Sequence, residues 1–247
     1  MKAIILAAGY ATRLYPLTEH YPKPLLDVGG RSILDRLLDQ IRGLLPHDEC
    51  VLVSNRRFVR QFEEWAGQRG DPGVRVLDDG STRPENRRGA IGDLLFALER
   101  SGGAVDLLVA AADNLFDFPM GDLVGAFRRS PGVWVCVHEV KDPARQRRTG
   151  IAELDAADRV VAFREKPADP KSCWAVPPLY CLDRATTERL PEYLATGRSA
   201  DSPGLFIEWL VPRVEVRAVR ARGAIHDIGT LESLAECRRR YAGAAPP

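Results

Sequence analysis

Short unbroken apolar runs alternate with segments whose apolar residues recur every three or four positions along the first 140 residues. The runs predict buried strands at residues 3–6, 50–53, 74–77, 107–111 and 133–137. The spaced pattern predicts helices. Ile33, Leu34, Leu37, Leu38 and Ile41 share one helical face, with Ser32 as N-cap and Asp35 in the first turn. Residues 58–66, 91–98 (opened by Gly89) and 123–127 follow the same rhythm. This βαβα alternation predicts a mostly parallel sheet flanked by helices, an α/β, Rossmann-like mixed architecture.

The pattern changes after about Val140. Short strands are predicted at 151–154, 160–163 and 179–182, interrupted by Pro167, Pro170, Pro177 and Pro178. Helices follow near 186–194 and 205–210. The reading is one domain over 1–247, with a nucleotide-binding half at 1–140 and a mixed half at 141–247 folded over the sheet. The tail from Ala242 to Pro247 is expected to fray.

Composition narrows the function classes. The 247 residues carry a formal net charge of +1, so no basic field recruits nucleic acid or an acidic membrane. No apolar run spans a bilayer. The first run is too short for a signal peptide, and the expected location is the cytoplasm. Five cysteines, an odd count without C-x-x-C spacing, read as reduced thiols. Only five of the 35 basic residues are lysines, and two stand in similar settings, Pro22-Lys23-Pro24 and Glu165-Lys166-Pro167.

Ligands of open α/β sheets sit beyond the carboxyl ends of the strands. After residues 3–6 come Ala7, Ala8, Gly9, Tyr10, Ala11 and Thr12, then Arg13 and Lys23. Small residues let a phosphate approach backbone N–H groups. Arg13 offers a forked permanent cation and Lys23 a point charge on a proline-stiffened segment. The pattern is neither a P-loop nor a dinucleotide fingerprint. On spacing alone it also describes an ordinary surface loop with solvated cations. After residues 107–111, Asp113 and Asn114 end a strand, where an Asp is more often a turn residue than a ligand.

The stretch L-A-A-G-Y-A-T-R-L-Y-P-L-T followed by P-K-P-L-L resembles the signature of the sugar-1-phosphate nucleotidyltransferases. That family includes thymidylyl-, uridylyl- and guanylyltransferases. The resemblance implies the nucleotidyltransferase (GT-A-like) fold. It also implies Mg²⁺-dependent attack of a sugar 1-phosphate on a nucleoside triphosphate (NTP), with release of pyrophosphate. Residues Leu6 to Arg13, Lys23 and Gly89 would then hold the nucleotide. Arg13, Lys23 and Asp113 would be catalytic, and Asp113 and Asp227, the latter in D-I-G-T, would hold Mg²⁺. On the same basis Asn114, Gly150, Glu165, Lys166 and Val176 would contact the acceptor.

Three positions depart from the family pattern: Ala11 and Ala112 stand for the usual Gly, and so does Pro178 in the expected acceptor wall. The glutamine typical of thymidylyl enzymes is missing from its expected place before Arg88-Gly89. The base stays open, and thymine is disfavoured. Two rivals are a non-sugar acceptor (a cyclitol phosphate, phosphocholine or a phosphonate) and a non-catalytic regulatory homologue. The latter would be expected to lose Arg13, Lys23, Asp113 or Asp227, and all four are present. His226 reads as a packing residue. Self-association stays open from sequence. At this length the chain is expected to be a catalytic domain without an appended β-helix.

Overall fold

A computed structural model describes residues 1–242 of the chain; the expected fraying of residues 243–247 lies outside them. The strands are β1 (Lys2–Leu6), β2 (Cys50–Ser54), β3 (Val74–Asp78), β4 (Leu107–Ala111), β5 (Asn114–Phe116) and β6 (Val133–Glu139). They continue with β7 (Gly150–Leu154), β8 (Val160–Glu165), β9 (Trp174–Val176), β10 (Leu179–Leu182), β11 (Val216–Arg220) and β12 (Ile225–Asp227). The helices are α1 (Ile33–Leu44), α2 (Val59–Arg69), α3 (Ala90–Arg100), α4 (Gly121–Arg129) and α5 (Pro143–Gln146), then α6 (Arg184–Thr187), α7 (Leu190–Ala195), α8 (Gly204–Leu210) and α9 (Leu231–Tyr241).

Ten strands form one sheet in the order β3-β2-β1-β4-β10-β6-β9-β7-β8, with β11 also paired to β6. Strands β1 to β4 are parallel, as their unbroken apolar runs predict. Strand β10 inserts antiparallel between β4 and β6, and β7, β8 and β9 continue antiparallel. One sheet therefore runs from the first 140 residues into the remainder of the chain.

Each face of the sheet carries its own core. Ile91, Leu94 and Ala97 of α3 join Tyr193, Phe206, Ile207 and Trp209 on one face. Leu34, Leu37, Leu38 and Ile41 of α1, with Phe62, Val124 and Phe127, cover the other. Burying each such side chain contributes roughly 1.5–3 kcal/mol. The predicted Ser32 cap is present: Ser32 Oγ accepts from Asp35 N at 3.0 Å, and Ser32 N donates to Asp35 Oδ2 at 3.3 Å.

One predicted helix differs from expectation. The helix predicted over 186–194 is two short helices, α6 and α7. Arg189 N donates to Thr186 O at 3.0 Å, closing a tight turn, and Pro191 starts the second helix where its missing N–H costs nothing. Strand β10 starts at Leu179 as predicted, and Pro177-Pro178 separates it from β9 because two prolines remove two ladder donors.

Candidate active site

A cavity of about 440 Å³ opens at the carboxyl ends of β1 and β4. Leu6, Ala7, Ala8, Gly9, Tyr10, Ala11, Thr12, Arg13, Lys23, Gly89 and Asp113 all line it. The residues expected to hold the nucleotide thus share one surface.

The loop after β1 is held from beneath. Ala7 N donates to Val53 O at 2.9 Å, and Asn55 Nδ2 donates to Ala8 O at 2.9 Å. Asn55 is fully buried. Sequence reading missed it, although a polar residue directly after a buried strand is a signal. Ala11 adopts φ 47°, ψ 39°, the left-handed region that glycine prefers. Its carbonyl accepts from Leu14 N at 2.9 Å and Thr18 Oγ1 at 2.8 Å, which holds the turn. Ala112 has no such requirement: it is not among the positive-φ residues, and it packs buried with its N–H on Leu6 O at 3.0 Å. Alanine therefore fits there.

Lys23 is buried, with its tight turn flanked by Pro22 and Pro24. Its Nζ lies 3.0 Å from Asp113 Oδ2 and 3.8 Å from Asp227 Oδ1. A small ribbon brings these carboxylates together. Strand β5 pairs antiparallel with β12 so that Asn114 faces Asp227. Asp113 immediately precedes β5, and Ile228 N reaches back to Asp113 O at 3.4 Å. Asn114 Nδ2 donates to Asp113 Oδ1 at 2.8 Å, so Asn114 orients that carboxylate. Partial desolvation and the neighbouring Asp113 charge push the Asp227 carboxyl above its usual range, although its side chain is 66% exposed. Arg13 is exposed and has no ion-pair partner among the described residues. A Cβ placed on Gly229 would lie 3.5 Å from Asp227 Oδ2 and 3.9 Å from Arg13 Nη1, so a guanidinium, an ammonium and two carboxylates border one corner.

That donor set fits Mg²⁺. Two hard carboxylates converge on one cation, and Mg²⁺ takes one or two carboxylates and completes its shell with waters and substrate phosphates. Among the described residues no trio of His, Cys, Asp or Glu forms a closed metal cage. His226 packs edge-on against Tyr241 at 6.4 Å, as a packing residue would.

The acceptor candidates stand differently. Gly150, Glu165, Lys166 and Val176 are absent from the cavity lining, whereas Pro178, Asp201 and Pro203 belong to it. Val176 is buried in the apolar core and pairs with Gly150 through the backbone. Glu165 Oε1 accepts from Ser202 Oγ at 2.8 Å, and burial raises its carboxyl above the ordinary value. A Cβ on Gly150 would meet the Phe163 ring and sit 3.0 Å from Glu165 Oε2, so packing within the chain already accounts for this glycine. Lys166 takes φ 49°, with its side chain 59% exposed and Nζ 3.9 Å from Glu165 Oε1. Arg87 and Asp201 form a bidentate pair at 3.0 and 2.9 Å and both line the cavity. Neither was singled out from sequence, since they lie 114 positions apart.

The nucleotidyl transferase family model matches residues 2–243. The chain belongs to that family. It is 24% identical over 239 residues to the bifunctional protein GlmU of Methanocaldococcus jannaschii, and 25% identical over 230 residues to that of Methanococcus aeolicus. Each match covers 93% of this chain and 51% of the relative, so the chain spans about half the length of these curated relatives. Among solved structures, a Bacillus anthracis protein described as a glucose-1-phosphate thymidylyltransferase, with bound sucrose, superposes with a TM-score of 0.83 at 23% identity, covering 100% of this chain and 97% of that one. UDP-glucose pyrophosphorylase complexed with UDP-glucose gives a TM-score of 0.79 at 19% identity, with 97% of each chain covered. The nucleotidyltransferase fold expected from the sequence is thus the observed one. Among the described residues no helix is long and apolar enough to cross a membrane.

Proposed function

We propose that this chain is a Mg²⁺-dependent enzyme that transfers a nucleotidyl group from an NTP to the phosphate oxygen of a sugar 1-phosphate. One acceptor oxygen bonds to the α-phosphorus as the α–β bridging bond breaks, and pyrophosphate departs. The observation that carries the reading is the convergence of Lys23, Asp113 and Asp227 beside the small-residue loop.

The roles follow from charge. Backbone N–H groups of residues 8–11 can cradle phosphate oxygens, because little side chain stands over them. Arg13 is positioned to grip the triphosphate and to balance the charge of departing pyrophosphate. Lys23 holds Asp113 and Asp227 together and supplies a buried cation. The same two carboxylates would hold Mg²⁺, which when bound contributes neutralisation of charge spread over the phosphates. Positioning and electrostatics suffice for such a transfer, so no covalent intermediate is required. Glu165 and Lys166 remain the proposed contacts to the acceptor, reached past Pro178 and Pro203.

A second reading keeps this chemistry and changes the acceptor to a non-sugar phosphate such as a cyclitol phosphate, phosphocholine or a phosphonate. The split at Pro177-Pro178 and the Arg87–Asp201 pair in the wall favour it. One assay decides both readings: pyrophosphate release across five NTPs and a panel of hexose, heptose and cyclitol phosphates and phosphocholine, with Mg²⁺ or EDTA. Release that needs one NTP, one acceptor and the metal supports the transferase. Silence across the matrix overturns it, and turnover with phosphocholine or a cyclitol phosphate alone selects the second reading.

A further inference from the structure

Where the cavity reaches the start of α3, it meets a carboxyl group that the transfer chemistry does not use. Asp93 lines the cavity and is 4% exposed. It sits one turn into the helix, its own N–H bonded to Gly89 O at 2.9 Å. Its Oδ1 is closed off from solvent without a partner among the described residues, while its carboxyl also lies within hydrogen-bonding reach of the Asp79 carboxyl.

Its neighbour Asp79 provides the contrast. Asp79 is as buried, but Ser81 N donates to its Oδ1 at 2.6 Å and Ser81 Oγ to its Oδ2 at 2.9 Å. Tyr10 of the phosphate-side loop joins the same network, its hydroxyl 3.3 Å from Ser81 Oγ. Arg88 does not supply the missing donor: its Nε donates to Asp79 O at 2.7 Å and its guanidinium lies over the Phe96 ring at 4.6 Å. A buried acceptor without a donor costs roughly 1–3 kcal/mol, and a ligand donor would recover that cost. Burial, the Asp79 charge and a hydrogen bond shared with the Asp79 carboxyl push the Asp93 carboxyl up to about 7, and with that proton held toward Asp79 the Oδ1 atom remains an acceptor near neutral pH.

On the proposed reading, a nucleoside whose triphosphate lies on the loop would extend along the rest of the cavity, which Gly89, Ala90 and Asp93 line. The backbone of Ala200 closes that end: a Cβ on Gly89 would lie 2.6 Å from Ala200 O. We propose that Asp93 determines base specificity by accepting a hydrogen bond from an exocyclic amino group, so that the chain takes ATP, GTP or CTP in preference to UTP or dTTP. This rests on the nucleotidyltransferase reading. Adenine, guanine and cytosine each carry an amino donor on the pairing edge. Uracil and thymine flank a single N–H with two carbonyl oxygens, which a carboxylate repels.

The test is equilibrium binding of ATP, GTP, CTP, dCTP, UTP and dTTP to the full chain by titration calorimetry. Wild type is compared with Asp93→Asn and Asp93→Ala, and pyrophosphate release is measured in parallel. An amino-bearing base should bind at least about tenfold more tightly than UTP, and both variants should shrink that ratio at least about fivefold. Preference of wild type for UTP or dTTP overturns the proposal. So does an unchanged base ratio in both variants, or a change only in the CTP to dCTP ratio, which would move Asp93 to the ribose. Base-selective binding without pyrophosphate release supports the Asp93 assignment while defeating the transferase reading. Release driven best by UTP does the reverse. Absence of binding by every NTP overturns both.

Discussion

The two halves of the molecule meet at one cavity but present their functional groups in opposite ways. On the proposed nucleotide side, groups leave the ends of parallel strands and face the cavity, with Arg13 outside any ion pair among the described residues. On the proposed acceptor side, Glu165 is engaged by Ser202 and packed against Gly150 and Gly204, Val176 is core, and the Lys166 side chain is largely exposed. A phosphate site asks for N–H groups and cations in a shape common to every NTP, so a short signature can encode it. An acceptor site is shaped by how its own residues pack, so two chains with the same motif can offer different walls. Proposed roles on the nucleotide side should therefore fail by losing turnover, and those on the acceptor side by changing which acceptor is used.

The largest effect is expected at Asp113. Asp113→Ala should lower pyrophosphate release at least about a hundredfold, the scale seen when one electrostatic contact to a reacting phosphate or oxyanion is removed. Circular dichroism should show the fold retained, because Asp227 remains 3.8 Å from the Lys23 ammonium. A variant with near-normal turnover would remove Asp113 from the machinery and erase the contrast between the halves.

Next comes the pH dependence of stability at Asp93, a site of strain within the otherwise preorganised half. Its folded carboxyl value of about 7 lies above the ordinary 3.8. The raised value means that its contribution to stability is fully present below about 3.8 and is lost as pH rises through about 7. Asp93→Asn does not titrate, so its stability relative to wild type should grow between pH 4 and pH 8 by roughly 2–4 kcal/mol. Urea unfolding at both pH values measures this. A pH-independent difference would show that the carboxyl is solvated in the folded state.

A smaller effect is expected across the cavity, at Gly204. A Cβ there would land on Glu165 Oε2 inside contact distance, and the Glu165 carboxylate would have to leave Ser202. Gly204→Ala should destabilise by about 1–3 kcal/mol, the usual cost of overpacking. It should also raise KM for the acceptor while leaving KM for the NTP within about twofold. Equal increases in both constants would mean that the two halves do not divide the substrates as proposed.

What the sequence disclosed follows the same division. Strands β1 to β4, helices α1 to α4 and the Ser32 cap were legible because burial on two faces writes continuous apolar runs and a capping box is local. Arg13, Lys23 and Asp113 were legible through the signature. The β5–β12 ribbon was not, since three-residue strands carry no periodicity, and only a likeness to other proteins joined Asp113 to Asp227. Strand β11 was not legible either, since Val216, Ala218 and Val219 do not alternate cleanly with Arg217 and Arg220. Helix α9 was missed because its buried face is only Leu234 and Cys237. Arg87 gave no signal, because an exposed arginine is ordinary until its partner is known.

The smallest expected effect refines the nucleotide side. Ala11 holds a left-handed conformation that costs an L-residue roughly 1–2 kcal/mol, and glycine would relieve it. Glycine also adds unfolded-state entropy worth about 0.4–1 kcal/mol. The two terms oppose, so Ala11→Gly should stabilise by between about 0 and 1.6 kcal/mol, toward a higher Tm. Thr18 Oγ1 and Leu14 N both bond to the Ala11 carbonyl, so the turn itself should persist in the variant. NTP affinity should then stay within about twofold. A Tm lowered by several degrees would mean that the Ala11 methyl packs usefully against its apolar neighbours, Leu14 and Ile228 among them, and that this chain has adapted the loop to alanine.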